Sequence, residues 1–200
     1  MEKRKVLQNK QMQSQAAFTL RDYNAKAPFA GFLPGIGGKF GIPTWAFYVN
    51  RGQGICSFGT QDKDHALMEY LPATQAYQLA NHQGFRTFLK IHGGRNPMLY
   101  EPFQYARKNP LQIEQEMTVS ADRILLRDHN PQAGLETTVE FFSLLNENVG
   151  GLMRILTLQN AGPRPLELEV ADGLPVLLPF GLEEDGLKNR RYLMEAFMGT

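Results

Sequence analysis

The chain has 200 residues, 42% hydrophobic and 20% charged, with a formal net charge of +1. These values exclude a disordered or fibrous chain, and the near-zero charge offers no field to select nucleic acid or an anionic membrane surface. Cys56, the single cysteine, excludes an intramolecular disulfide framework, and no apolar run reaches the ~18–20 residues of a membrane span.

Residues 1–17 form a polar leader, "MEKRKVLQNKQMQSQ" and two alanines. It lacks the apolar core of a secretory signal, so a cytoplasmic setting is expected. The leader reads as frayed chain or as a short N-terminal helix. From Phe18 onward the text is β-like. "PFAGFLPGIGGKFGIP" sets Gly and Pro between aromatic residues, which predicts an irregular loop held by Phe29, Phe32, Leu33 and Phe40. "PTWAFYVN" and "GICSFG" then flank an Arg51–Gly52–Gln53 turn short enough for a hairpin. "ALMEYLP" is a further candidate strand.

In "GFRTFLKI", Phe85, Thr87 and Leu89 face one way and Arg86, Phe88 and Lys90 the other. "LQIEQEMTV" alternates Leu111, Ile113, Met117 and Val119 against Gln112, Glu114, Glu116 and Thr118. "ADRILLRDHNPQAGLETTVEFFSLL" predicts strand, turn and strand, with the turn at Asn130–Gly134. "GLMRILTLQNAGPRPLELEVADGLPVLLPFGL" predicts the same layout, with the turn at Asn160–Pro165. Turn signals at this spacing predict an all-β fold, an antiparallel β-sandwich over 18–200. The tail "KNRRYLMEAFMGT" fits a strand or a helix. Its apolar end leads us to expect a chain cut from a longer protein.

Chemistry-bearing patterns are sparse. His65, His82, His92 and His129 show no zinc-like spacing, and no metal site is expected. "DKDH" at Asp62–His65 reads as a solvated turn and Cys56 as a small buried thiol. Ser57 sits on a predicted strand without a G-x-S-x-G elbow, so it reads as a packing position. "GIGGKFG" does not match phosphate-loop spacing. Among the carboxylates, "LEEDG" reads as a solvated turn and Asp172 as an Asx-type turn before Gly173. No pair stands out for glycoside chemistry.

What remains is a binding pattern. Trp45, Phe47, Tyr48, Asn50, Arg51 and Gln53 gather at one hairpin, and "QGFRTFLK" adds Arg86 and Lys90. Sugar recognition needs flat aromatic faces together with amides and cations for hydroxyl groups. The competing reading makes the aromatic residues core and Arg51 merely exposed. Expected substrate-binding residues are Trp45, Asn50, Arg51, Gln53 and Arg86; no catalytic residue is assigned.

These segments carry a resemblance. "FLPGIGGKFGIPTWAFYVNRGQGICSFGTQDKDHALMEYLPATQAYQ", with "GFRTFLKI" after it, resembles the N-terminal region of the 1,2-β-oligoglucan phosphorylases of glycoside hydrolase family 94. "LQNAGPRPLELEVADGLPVLLPFG" is similar to that family's strand pair ending in Asp-Gly-Leu-Pro. The resemblance implies a large two-sheet, galactose-mutarotase-like sandwich, truncated before a helical linker and an (α/α)6 barrel. It implies an activity in which phosphate, the only co-substrate, attacks a β-1,2-linked gluco-oligosaccharide with inversion and releases α-glucose 1-phosphate. The acid catalyst lies in the barrel, so this chain alone is expected to be inactive. The implied partners are a β-glucan oligosaccharide, the catalytic barrel and a second subunit. Gly31–Gly41 and Asn50–Gln53 are the implied lid over the active-site pocket. A free-standing carbohydrate-binding or assembly sandwich is the alternative.

Overall fold

Period-two sequence builds most of this molecule. The computed structural model describes residues 17–92, 96–104, 111–144, 147–178 and 181–198. In chain order these form β1 (Phe18–Arg21), β2 (Ala30–Gly37), β3 (Ile42–Val49), β4 (Ile55–Thr60), α1 (Ala73–Gln83), β5 (Arg86–His92) and β6 (Met98–Tyr100). There follow β7 (Glu114–Val119), β8 (Arg123–Asn130), β9 (Leu135–Ser143), β10 (Leu152–Asn160), β11 (Glu167–Gly173) and α2 (Glu184–Met198). The leader's helix or coil falls outside the described residues.

Among the described residues all pairings are antiparallel, in three sheets ordered β1-β7-β8-β9-β10, β11-β5-β6 and β2-β3-β4. The two smaller sheets share the inner face of the five-stranded one. Leu33, Ala46, Tyr48 and Ile55 meet Met117, Ile124, Leu126, Val139 and Phe141 over one half. Leu89, Ile91 and Tyr100 meet Leu135 over the other. The result is an antiparallel β-sandwich, as the alternation predicts.

The predicted faces hold on β5 and β7. Thr87, Leu89 and Ile91 are buried, while Phe88 is 43% exposed. Met117 is buried on the apolar face of β7. The β3–β4 and β8–β9 hairpins form at the predicted turns.

Other segments depart from expectation. "PFAGFLPGIGG" is not a loop: Ala30–Gly37 is strand β2, paired along its length with β3. Pro34 is tolerated because β2 is a sheet edge. Gly35 is required by close approach, since a Cβ there would stand 2.1 Å from Ser143 Oγ. Phe40 is 93% exposed and holds nothing.

"ALMEYLP" forms no strand; its Ala66 makes only an isolated bridge to Gly59. The following "ATQAYQLANHQ", for which no element is predicted, is helix α1. It ends at Gly84 and places Ala76 and Ala80, four apart, on Phe47 and Val49. β10 and β11 are not a hairpin: β10 joins β9, and β11 crosses to the other layer to join β5. Two prolines, Pro163 and Pro165, occupy that crossing. "LEEDG" opens helix α2, whose first amide, Glu184 N–H, donates to Asp64 Oδ1 at 3.1 Å. Among the described residues no helix is long and apolar enough to cross a membrane.

Candidate functional site

The structure separates the five expected substrate-binding residues into three places. Asn50 is fully buried. Its amide donates to the carbonyls of Tyr23 at 2.9 Å and Ala27 at 3.0 Å and accepts from Phe29 N–H at 2.8 Å. Arg51 also turns inward, donating to the carbonyls of Asn50 and Lys26 at 2.6 and 3.1 Å, with its guanidinium 5.7 Å from the Tyr77 ring centre. These two residues tie the hairpin tip to the 23–29 segment. Gly52 completes the tie, because its amide donates to Asn24 Oδ1 and its carbonyl accepts from the Tyr23 hydroxyl.

Gln53 is 3% exposed and forms the buried end of a knot between layers that opens to solvent at Asp172. Its Nε2 donates to Thr87 Oγ1 at 2.9 Å, and its Oε1 accepts from Arg154 Nη2 at 2.8 Å. Arg154 also forks onto Asp172, at 2.6 and 2.8 Å, and lies over the Phe85 ring at 5.1 Å. Thr87 donates to Asp172 Oδ1 at 2.6 Å. Asp172 therefore makes no Asx turn; it is the anion of this knot. Burial alone would push its carboxyl up, but Arg154 and Thr87 outweigh burial and hold it below the ordinary value.

Trp45 stands roughly 17 Å from this tip by strand rise, five residues back along β3. Its indole N–H donates to Asp62 O at 3.2 Å, and its ring meets Tyr70 and Phe32 edge-on at 5.9 and 6.3 Å. Phe32 is 53% exposed, so this cluster presents an aromatic edge on the outer side of β2-β3-β4.

Arg86 occupies the third place, the outer face of β11-β5-β6. The pleat puts Arg86, Phe88 and Lys90 on that face together. Arg86 forks onto Glu101 at 2.7 and 2.9 Å and stacks on Phe88 at 4.6 Å. Lys90 and His92 both bind Glu169 Oε1 at 2.7 Å. Their bonds, Lys90 first, hold the Glu169 carboxyl below its ordinary value. A groove of about 470 Å³ runs across this face, lined by Phe88, Leu99, Val170 and Ala171 and by the charged rims. Arg86, Phe88 and Lys90 were legible from period two. Glu169 comes from β11 and Glu101 from just past the end of β6, and only the long-range register brings them here.

The remaining candidates are structural. A larger hollow, about 690 Å³, opens among the turns at Pro131–Gly134 and Asn160–Leu166 and includes His92 and His129. Among the described residues no three His, Cys, Asp or Glu side chains are placed to hold a metal. Cys56 donates to Phe47 O, and burial pushes its thiol up to about 12, far from the thiolate a nucleophile needs. Ser57 is fully buried on Met68 O. Asp128 is 1% exposed, and burial raises its pKa; the Tyr100 hydroxyl, Gln115 Nε2 and Phe103 N–H close it off. His65 and Asp62 bond each other at 2.7 Å within an exposed turn. No family model and no curated protein match this sequence.

Proposed function

We propose that this chain is the non-catalytic β-sandwich module of a cytoplasmic inverting phosphorylase that converts β-1,2-gluco-oligosaccharides and phosphate to α-glucose 1-phosphate. The resemblance, which runs from about Phe18 to the end of the chain and is carried by Phe32–Gln78, Gly84–Ile91 and Leu158–Gly181, suggests the reaction. The observation that carries the module's role is the construction of the β3–β4 hairpin tip. Asn50, Arg51 and Gln53 spend their polar groups on the protein itself, which makes the tip rigid. A phosphorylase must keep water from competing with phosphate, and a rigid edge resting against a catalytic barrel and a second subunit closes a pocket better than a mobile one. In this reading Trp45 and Arg86 reach ligand directly, while Asn50, Arg51 and Gln53 hold the edge in shape.

The carboxylates here suit binding rather than acid catalysis. Asp172 and Glu169 are held ionised by cations, and Asp128 is sealed from substrate. Purified chain mixed with β-1,2-gluco-oligosaccharides and phosphate is expected to release no glucose 1-phosphate, and no glucose when phosphate is omitted. Release of either sugar would overturn the non-catalytic assignment.

A second reading is a free-standing carbohydrate-binding sandwich. It is favoured by the outer groove at Phe88, which opens on the face of β5 opposite the one that Gln53 of the hairpin tip bonds. Preference for β-1,2-linked over other glucans in a binding assay would support the phosphorylase reading; indifference to linkage would support the second.

A further inference from the structure

We propose that the outer face of the β11-β5-β6 sheet binds a pyranose unit of a neutral oligosaccharide, with Phe88 as its platform. This locates the sugar on the sandwich, and it rests on the part of the functional reading that assigns the chain an oligosaccharide ligand.

The groove is built from alternation and register. Phe88 is exposed while Thr87 and Leu89 on either side are 0% and 1% exposed, so the ring stands off the sheet. Opposite it on β11 is Ala171, whose methyl leaves space beside the ring. Leu99 of β6, opposite Lys90 and 78% exposed, forms an apolar wall. Arg86 covers part of the ring and is itself fixed by the two-pronged bond to Glu101. Glu101 is held further by Gln104 Nε2 at 2.9 Å. Across the groove, Lys90 and His92 fix Glu169 from one oxygen, Oε1, and the Glu169 side chain is 61% exposed.

The charge arrangement selects the ligand class. Two cations, Arg86 and Lys90, stand among three carboxylates, Glu101, Glu169 and Glu167, the last opposite His92, so the face has no positive field to draw phosphate or nucleic acid. An apolar protein surface laid on Phe88 and Leu99 would strip water from four charged groups without replacing their hydrogen bonds. A pyranose satisfies both demands. Its C–H face lies on the ring, and its hydroxyls donate to carboxylates and accept from Lys90 and Arg86. The groove volume lies within the roughly 300–1,000 Å³ of small-ligand sites.

The test is titration of the isotope-labelled chain, followed by amide NMR, with glucose trisaccharides linked β-1,2, β-1,3, β-1,4 and α-1,4. Shifts are expected at Phe88, Lys90, Glu169 and Ala171. Phe88→Ala should weaken binding by about tenfold or more, with Phe88→Tyr restoring it and Met153→Ala, on the opposite outer face, leaving it unchanged. Thermal melts matching wild type establish that the variants fold. No shift with any trisaccharide, or shifts untouched by Phe88→Ala, overturns the proposal. So does self-association through Leu99 without sugar binding, which would assign the face to a protein partner. Binding lost on Trp45→Ala instead of Phe88→Ala sinks this groove but keeps the functional reading. Binding at Phe88 of every linkage except β-1,2 keeps the groove and sinks the phosphorylase.

Discussion

At the scale of single residues, Arg154 on β10 ties the five-stranded sheet to both smaller ones. Its side chain is 10% exposed and meets Gln53 from the β3–β4 hairpin, Thr87 from β5 and Asp172 from β11. A buried guanidinium is tolerable only when its donors find acceptors, and here three side chains supply them. Arg154→Met strands Asp172 and leaves Gln53 and Thr87 short of a donor. Because Asp172 is partly open to water, the expected loss is about 1.5 kcal/mol in a denaturant melt. Adding Asp172→Leu should recover most of it, because an apolar pair of similar size removes the uncompensated charge. A single variant as stable as wild type would show that the knot contributes specificity of shape and not stability.

At the scale of elements, β2 shows how close packing overrides composition. Its glycines and Pro34 signal a loop, yet the strand is clamped between β3 and the end of β9. A methyl at Gly35 would meet Ser143 Oγ at 2.1 Å and Thr44 Oγ1 at 2.4 Å, and Ser143 Cβ at 2.3 Å blocks the obvious relief. Gly35→Ala is therefore expected to destabilise the chain by about 2 kcal/mol, read as a lower unfolding midpoint. Ser143→Gly in the same chain should relieve part of the cost; an additive loss from the two changes would place the conflict elsewhere. Helix α1 illustrates the converse case. Its alanines carry good helix propensity, but its place is set by Ala76 and Ala80 seating on Phe47 and Val49.

At the scale of the whole molecule, charge and pH act through opposed carboxyls. Asp172 and Asp122 are held below the ordinary range, by Arg154 with Thr87 and by Arg123 with Ser120, against the upward push of burial. Their stabilisation is fully present above the unfolded carboxyl value near ~4 and is lost as pH falls through the lower folded values. Asp128 has the opposite sign: burial raises it, so its ionisation removes stability as pH climbs from ~4 through the raised folded value. The thermal midpoint is expected to fall on the acid side, and Asp172→Asn should lower it at neutral pH while flattening that fall. A wild-type midpoint that keeps rising down to the most acid pH measured would contradict the assignment.

Read by itself, the sequence determined the class of fold and the faces of the regular strands, because alternation is a local property of the chain. β5, β7 and the β8–β9 hairpin were legible for that reason, and so was the gathering of Arg86, Phe88 and Lys90 on one side. Tertiary structure alone decided which strands became neighbours. It sent β11 to β5 across the sandwich and so delivered Glu169 to the groove and Asp172 to Arg154. It also turned the polar hairpin tip inward, because the carbonyls of residues 23–27 needed donors and Asn50 and Arg51 were within reach. Pairings between residues 80 or 100 positions apart leave no local periodic signal, so the parts of the site they build appear only once the chain has folded.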